Sequence, residues 1–124
     1  MTITSIPDAA LAQQLVDLHF NIWNDPEPKN WPAKFSQAYA PNFSVADPKA
    51  VASGYVSVGQ LIQRVQSEHA GFVFTPDPIT WNHGLGRVTW GYGPRSNPNL
   101  VRGEDIFTIK DGKLASMHVF LNPQ

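Results

Sequence analysis

The sequence predicts an α+β domain: three N-terminal helices packed on a curved, mainly antiparallel β-sheet, with a cone between the layers that can hold a ligand. Three observations carry this prediction. Apolar residues recur at helical spacing through most of the first half, period-2 alternation takes over after Gly71, and helices followed by strands put the helices on one face of an antiparallel sheet. The chain has 124 residues, the length of one domain, which buries roughly two-thirds of its unfolded surface and leaves room for a pocket.

Leu11, Leu15, Leu18 and Ile22 mark an amphipathic helix over residues 8–23, begun by Asp8 and ended by Asn24, Asp25 and Pro26. His19 stands four residues after Leu15 and four before Trp23, so the three side chains share one edge of that helix. A second helix is expected over 31–39, with Asn30 as cap, Pro32 in the first turn and Phe35, Ala38 and Tyr39 inward. Pro41 ends it. Residues 43–47 read as a strand with Phe43, Val45 and Asp47 on one side, shortened by Pro48. After a loop to Gly54, Ser57 and Gln60 have capping-box spacing, and Leu61, Ile62, Val65 and His69 continue a third helix to Gly71.

Strands follow at 72–75, 79–83 and 87–92, and a loop at 93–99 leads into the last hairpin. There Val101, Gly103, Phe107 and Ile109 alternate with Arg102, Glu104, Thr108 and Lys110, and Asp111-Gly112 supplies the turn before a second apolar run from Leu114. Asp105 falls on the apolar parity. A carboxylate out of water must be paired, protonated or functional, and Asp47 poses the same question on its own strand.

Nine Lys+Arg against ten Asp+Glu, a net charge of −1 and no cysteine give no reason to expect nucleic acid and exclude disulfides and thiolate chemistry. The opening residues lack a signal-peptide pattern, and no apolar run is long enough to span a membrane, so a soluble, cytoplasmic protein is expected. His19, His69, His83 and His118 lack ligand spacing, Gly84-Leu85-Gly86 is too short for a phosphate loop, and no Gly-x-Ser-x-Gly elbow occurs. Neither a metal nor an organic cofactor is expected.

The element order and several motifs resemble the ketosteroid isomerase and nuclear transport factor 2 (NTF2-like) superfamily, in its SnoaL-like branch. The resemblance spans nearly the whole chain. It rests on Tyr39-Ala40-x-Asn42-Phe43-x-Val45-x-Asp47-Pro48 with Gly54 downstream, on Val101-x-Gly103-x-Asp105-x-Phe107, and on Asp111-Gly112-Lys113-Leu114-x-Ser116-Met117 with Phe120-Leu121. Trp90 and His69-Ala70-Gly71-Phe72-x-Phe74 also look like that branch. The resemblance implies one cone-shaped domain over 1–124 and a homodimer through the outer sheet face, which His118 faces by its parity opposite Met117, Val119 and Leu121.

In function, the resemblance implies a cofactor-independent isomerase, lyase or cyclase that moves a proton on a small, largely apolar carbonyl compound. Asp47 falls at the position of the superfamily's general base, and Asp105 at that of a protonated acid that donates to the developing oxyanion. His19 stands where ketosteroid isomerases carry a tyrosine. Trp23, Tyr39, Trp90, Phe107, Met117 and Val119 are the candidate substrate-binding residues. Epoxide-hydrolase chemistry needs an acid where Val119 stands, and is not implied. The same fold also hosts inert modules, so a ligand-binding or protein-interaction domain without catalysis is the competing expectation.

Overall fold

A computed structural model of the protein describes residues 9–122. Helix α1 (Ala9–Asn24) is followed by a 3₁₀ turn (Pro28–Asn30), helix α2 (Trp31–Ala38), strands β1 (Tyr39–Ala46) and β2 (Val51–Ser53), and helix α3 (Tyr55–Glu68). Strands β3 (Phe72–Pro76), β4 (Thr80–Asn82), β5 (Leu85–Pro94), β6 (Val101–Lys110) and β7 (Lys113–Leu121) complete the described chain. The expected start of α1 at Asp8 lies outside the described residues.

The strands form one curved sheet in the order β2-β1-β7-β6-β5-β3, with β4 paired to the end of β5. The β1–β7 pair is parallel and the other pairs are antiparallel. Two hairpins turn on two residues of positive φ, His83 (48°) with Gly84 (90°) and Asp111 (54°) with Gly112 (77°), the backbone that matches the natural twist of paired strands. The helices cover the concave face, where Val16, Ile22, Ile62, Phe43, Val45, Leu114 and Met117 are fully buried.

Several expected boundaries moved. Helix α2 stops at Ala38, and Tyr39 opens β1. Asn30 does not cap α2, because it sits in a helical conformation at the end of the 3₁₀ turn and its amide donates to Asp25 Oδ2. Ser57 is not the cap of α3 either. That helix starts at Tyr55, directly after Gly54, whose φ of 82° turns the chain without any side-chain cap. Residues read as a loop before Gly54 form β2, and β5 begins at Leu85, so Leu85 and Gly86 belong to a strand and not to a turn.

Candidate active site

Asp105 reaches the concave face as its parity requires. In β6, Gly103, Asp105 and Phe107 are buried while Arg102, Glu104, Ile106 and Thr108 are only half-buried. Asp105 pairs with Val88 on β5 and Val119 on β7, so its carboxyl stands among apolar side chains, 3% exposed. Burial pushes its pKa up to about 7, because an ion is poorly solvated there. The Trp90 indole N–H nearby opposes the shift, and Glu104 adds to it. That N–H does not complete a hydrogen bond. Trp90 Nε1 and Asp105 Oδ1 are both sealed without a hydrogen-bond partner among the described residues.

Helix α1 supplies the opposite wall. His19, Phe20 and Trp23 are all buried, and the end of the helix is tied to β3 by Asn24, whose side-chain amide both donates to and accepts from the Phe74 backbone (2.9 and 2.8 Å). His19 Nδ1 lies 2.7 Å from Tyr39 Oη, and Trp23 Nε1 donates to the same oxygen at 3.1 Å. Burial lowers the pKa of His19 to about 3, so the imidazole is neutral near pH 7. The Tyr39 phenol is pushed upward by burial and stays protonated.

Asp47 lies one residue beyond β1, not within it as expected, because its side chain closes the β1–β2 connection. Asp47 Oδ1 accepts from the backbone N–H of Lys49 (2.8 Å) and of Ala50 (2.7 Å), an Asx-type turn. Asp47 Oδ2 has no partner among the described residues. Asp47 as a whole is half-buried.

Asp47, Asp105 and His19 line one cavity of about 240 Å³. Trp23, Trp90, Met117 and Val119 line it too, whereas Tyr39 and Phe107 do not. Tyr39 stands behind His19 and stacks on Phe43 with ring centres 4.0 Å apart. Phe107 fills the space over Gly86 and stacks on Trp81, so it plugs the cone beyond the cavity. Phe20, Val45, Phe74 and Tyr92 complete the apolar wall, and the exposed side chains of Lys49, Arg64, Glu68 and His69 form its rim.

The rim was not read from the sequence. Its one available signal was the end of α3 running into His69, which stacks on Phe72 and meets Tyr92 edge-on. A second hollow of about 390 Å³ between α2 and α3, around Trp31, Phe35 and Val56, carries no charged group. Among the described residues, no three His, Asp or Glu side chains converge to hold a metal ion.

No protein-family model and no curated protein matches the chain in sequence. Solved structures do match in shape. A SnoaL-like family protein from Agrobacterium tumefaciens, provisionally named an isomerase, superposes with a TM-score of 0.84 at 16% identity, over 92% of this chain and 99% of its own. An NTF2-like protein of unknown function from Cytophaga hutchinsonii gives 0.68 at 14% identity, over 98% and 96%. The fold is NTF2-like. A Sinorhizobium meliloti protein provisionally named a polyketide cyclase shares this NTF2-like fold with a TM-score of 0.71 at 21% identity, over 91% and 99%. Within this NTF2-like fold, β6 delivers Asp105 to the cavity and α1 supplies His19, Phe20 and Trp23 to its lining.

Proposed function

We propose that the chain is a cofactor-independent enzyme that moves a proton next to the carbonyl of a small, largely apolar compound, within one domain. The observation that carries this reading is the meeting of Asp47, Asp105 and His19 on one cavity otherwise walled by aromatic and aliphatic side chains. Asp47 Oδ2 takes the proton from the α-carbon, and the electron pair moves onto the carbonyl oxygen. Protonated Asp105 and neutral His19 donate to that oxygen, and water excluded by the wall cannot compete. Return of the proton to another carbon completes an isomerisation, and loss of a leaving group completes a lyase step. The Agrobacterium and Sinorhizobium neighbours carry the provisional names isomerase and polyketide cyclase, which supports an enzyme of isomerase or cyclase type.

A cavity of about 240 Å³ is smaller than the roughly 300 Å³ at which drug-sized sites begin, which favours a substrate of one or two rings. The sealed Asp105 Oδ1 favours a second reading, a ligand-binding or protein-interaction module in which the acid never meets a reacting atom. Deuterium exchange separates the two. Incubated in D₂O with a panel of small cyclic ketones, the wild type introduces deuterium at the α-carbon and Asp47→Asn does not. Equal exchange by both removes Asp47 as the base. The reading includes a cytoplasmic location and a homodimer built on the outer sheet face, where Phe120 is 55% exposed beside exposed His118.

A further inference from the structure

We infer that Tyr39, oriented by Trp23, is a positioning residue that fixes His19 in the tautomer with its proton on Nε2, so that the cavity receives an N–H donor and never an imidazole base. The inference deepens the reading of His19 above and rests on it for its catalytic consequence.

Tyr39 Oη carries one proton and can accept bonds on its lone pairs. An indole N–H can only donate, so the 3.1 Å contact from Trp23 Nε1 occupies an accepting position of that oxygen. Tyr39 is 1% exposed, and Oη has no further partner among the described residues. Its own proton therefore has one acceptor within reach, His19 Nδ1 at 2.7 Å. Were Nδ1 to donate instead, Tyr39 would accept twice and its hydroxyl proton would be buried without a partner, a costly arrangement.

With Nδ1 accepting and the ring neutral, the imidazole proton is on Nε2. Nε2 has no protein partner among the described residues, yet it is not among the sealed, unpartnered atoms. His19 lines the cavity and Tyr39 does not, so Nδ1 is turned to the wall and Nε2–H opens towards the ligand. A ligand matched to this site presents an oxygen acceptor there. It cannot hand a proton to His19, which leaves Asp47 as the base.

Long-range ¹H–¹⁵N spectra of the ¹⁵N-labelled full chain at pH 7 test this with no ligand present, the His19 signals being assigned by their loss in His19→Asn. The wild type shows an unprotonated Nδ1 and a protonated Nε2. In Tyr39→Phe the hydroxyl is gone and the tautomer ratio moves about tenfold towards Nδ1–H, the scale set by loss of one neutral hydrogen bond. Trp23→Phe frees an accepting position on Oη and moves the ratio in the same direction, and it serves where Tyr39→Phe folds poorly. Protonated Nδ1 in the wild type, or an unchanged ratio in both variants, overturns the inference. A shifted ratio in a protein with no α-carbon exchange upholds it and counts against the proposed reaction alone.

Discussion

The six-membered ring of Trp90 fills the space that a side chain at Gly103 would occupy, its atoms meeting the position of any Cβ built there. Trp90 and Gly103 face each other across β5 and β6, and Asp105 is the next residue along that face of β6. The missing side chain lets the indole lie across the strand and bring Nε1 towards the carboxyl. Gly103→Ala is expected to cost about 1–3 kcal/mol, the range for overpacking a filled core, and to shift Trp90 fluorescence. Gly59→Ala, whose new methyl meets Phe35 only at ordinary contact distance (3.8 Å), should leave the protein at least as stable as wild type. Urea unfolding of both variants checks this.

Two buried groups give pH dependences of opposite sign. Unfolded His19 binds a proton below its ordinary value of 6.5, whereas the buried ring refuses it down to about 3, so stability falls as pH falls through that window. Unfolded Asp105 releases its proton near 3.8, whereas the buried carboxyl keeps it to about 7, so stability falls as pH rises through that window. Each slope is at most about 1.4 kcal/mol per pH unit, and the two cancel between pH 4 and 6.5. Asp105→Asn should therefore lose on the order of 3 kcal/mol on going from pH 6.5 to 4, and His19→Asn a similar amount on going from pH 4 to 7. Wild-type stability should be nearly flat over pH 4 to 6.5. Chemical unfolding at a series of pH values reads all three profiles, and parallel profiles would contradict the assignment.

Asp47 has two separable tasks. Asp47→Ala removes the acceptor of two backbone N–H groups and should cost about 1–2 kcal/mol, as loss of a cap does. Asp47→Asn keeps an Oδ1 acceptor and should stay within about 0.5 kcal/mol of wild type while abolishing α-carbon exchange. A stability loss in Asn equal to that in Ala would show that the charge, and not the turn acceptor, holds this connection.

Removing one donor to the carbonyl oxygen should slow exchange on the order of 10²-fold. Asp105→Leu, which has no polar hydrogen to give, and His19→Ala each provide this test in a ketone-exchange assay. Effects below about threefold in both would place the reacting oxygen elsewhere.

Phe120→Lys on the outer sheet face should convert a dimer to a monomer in sedimentation or light scattering, without altering the pKa of Asp105 on the other face. A wild type that sediments as a monomer would remove the proposed interface.

Much of the fold was legible in the sequence because periodicity reports burial. The parity of β6 put Asp105 on the concave face, and the stripe of α1 put His19 and Trp23 together. Local chemistry misled where another contact won. Asn30 has a capping side chain, yet Asp25 claims its amide. Ser57 with Gln60 has capping spacing, yet a glycine of positive φ starts the helix earlier. Tyr39 and Phe107 are aromatic and inward, but parity cannot say how deep along the cone an inward residue sits. Phe107 stops at Gly86, and Tyr39 stands behind His19. The rim of Lys49, Arg64, Glu68 and His69 comes from two segments brought together by tertiary packing alone, which leaves no pattern in one dimension.

Proton donation in this cavity depends most directly on the state of Asp105. A ¹³C titration of the aspartate side-chain carboxyls, with Asp105 assigned by its loss in Asp105→Asn, reads that state without any substrate. The expected midpoint is at about 7. A midpoint near 4, the range of an exposed aspartate, would contradict it, since Asp105 would then be ionised at neutral pH and unable to donate to a developing oxyanion.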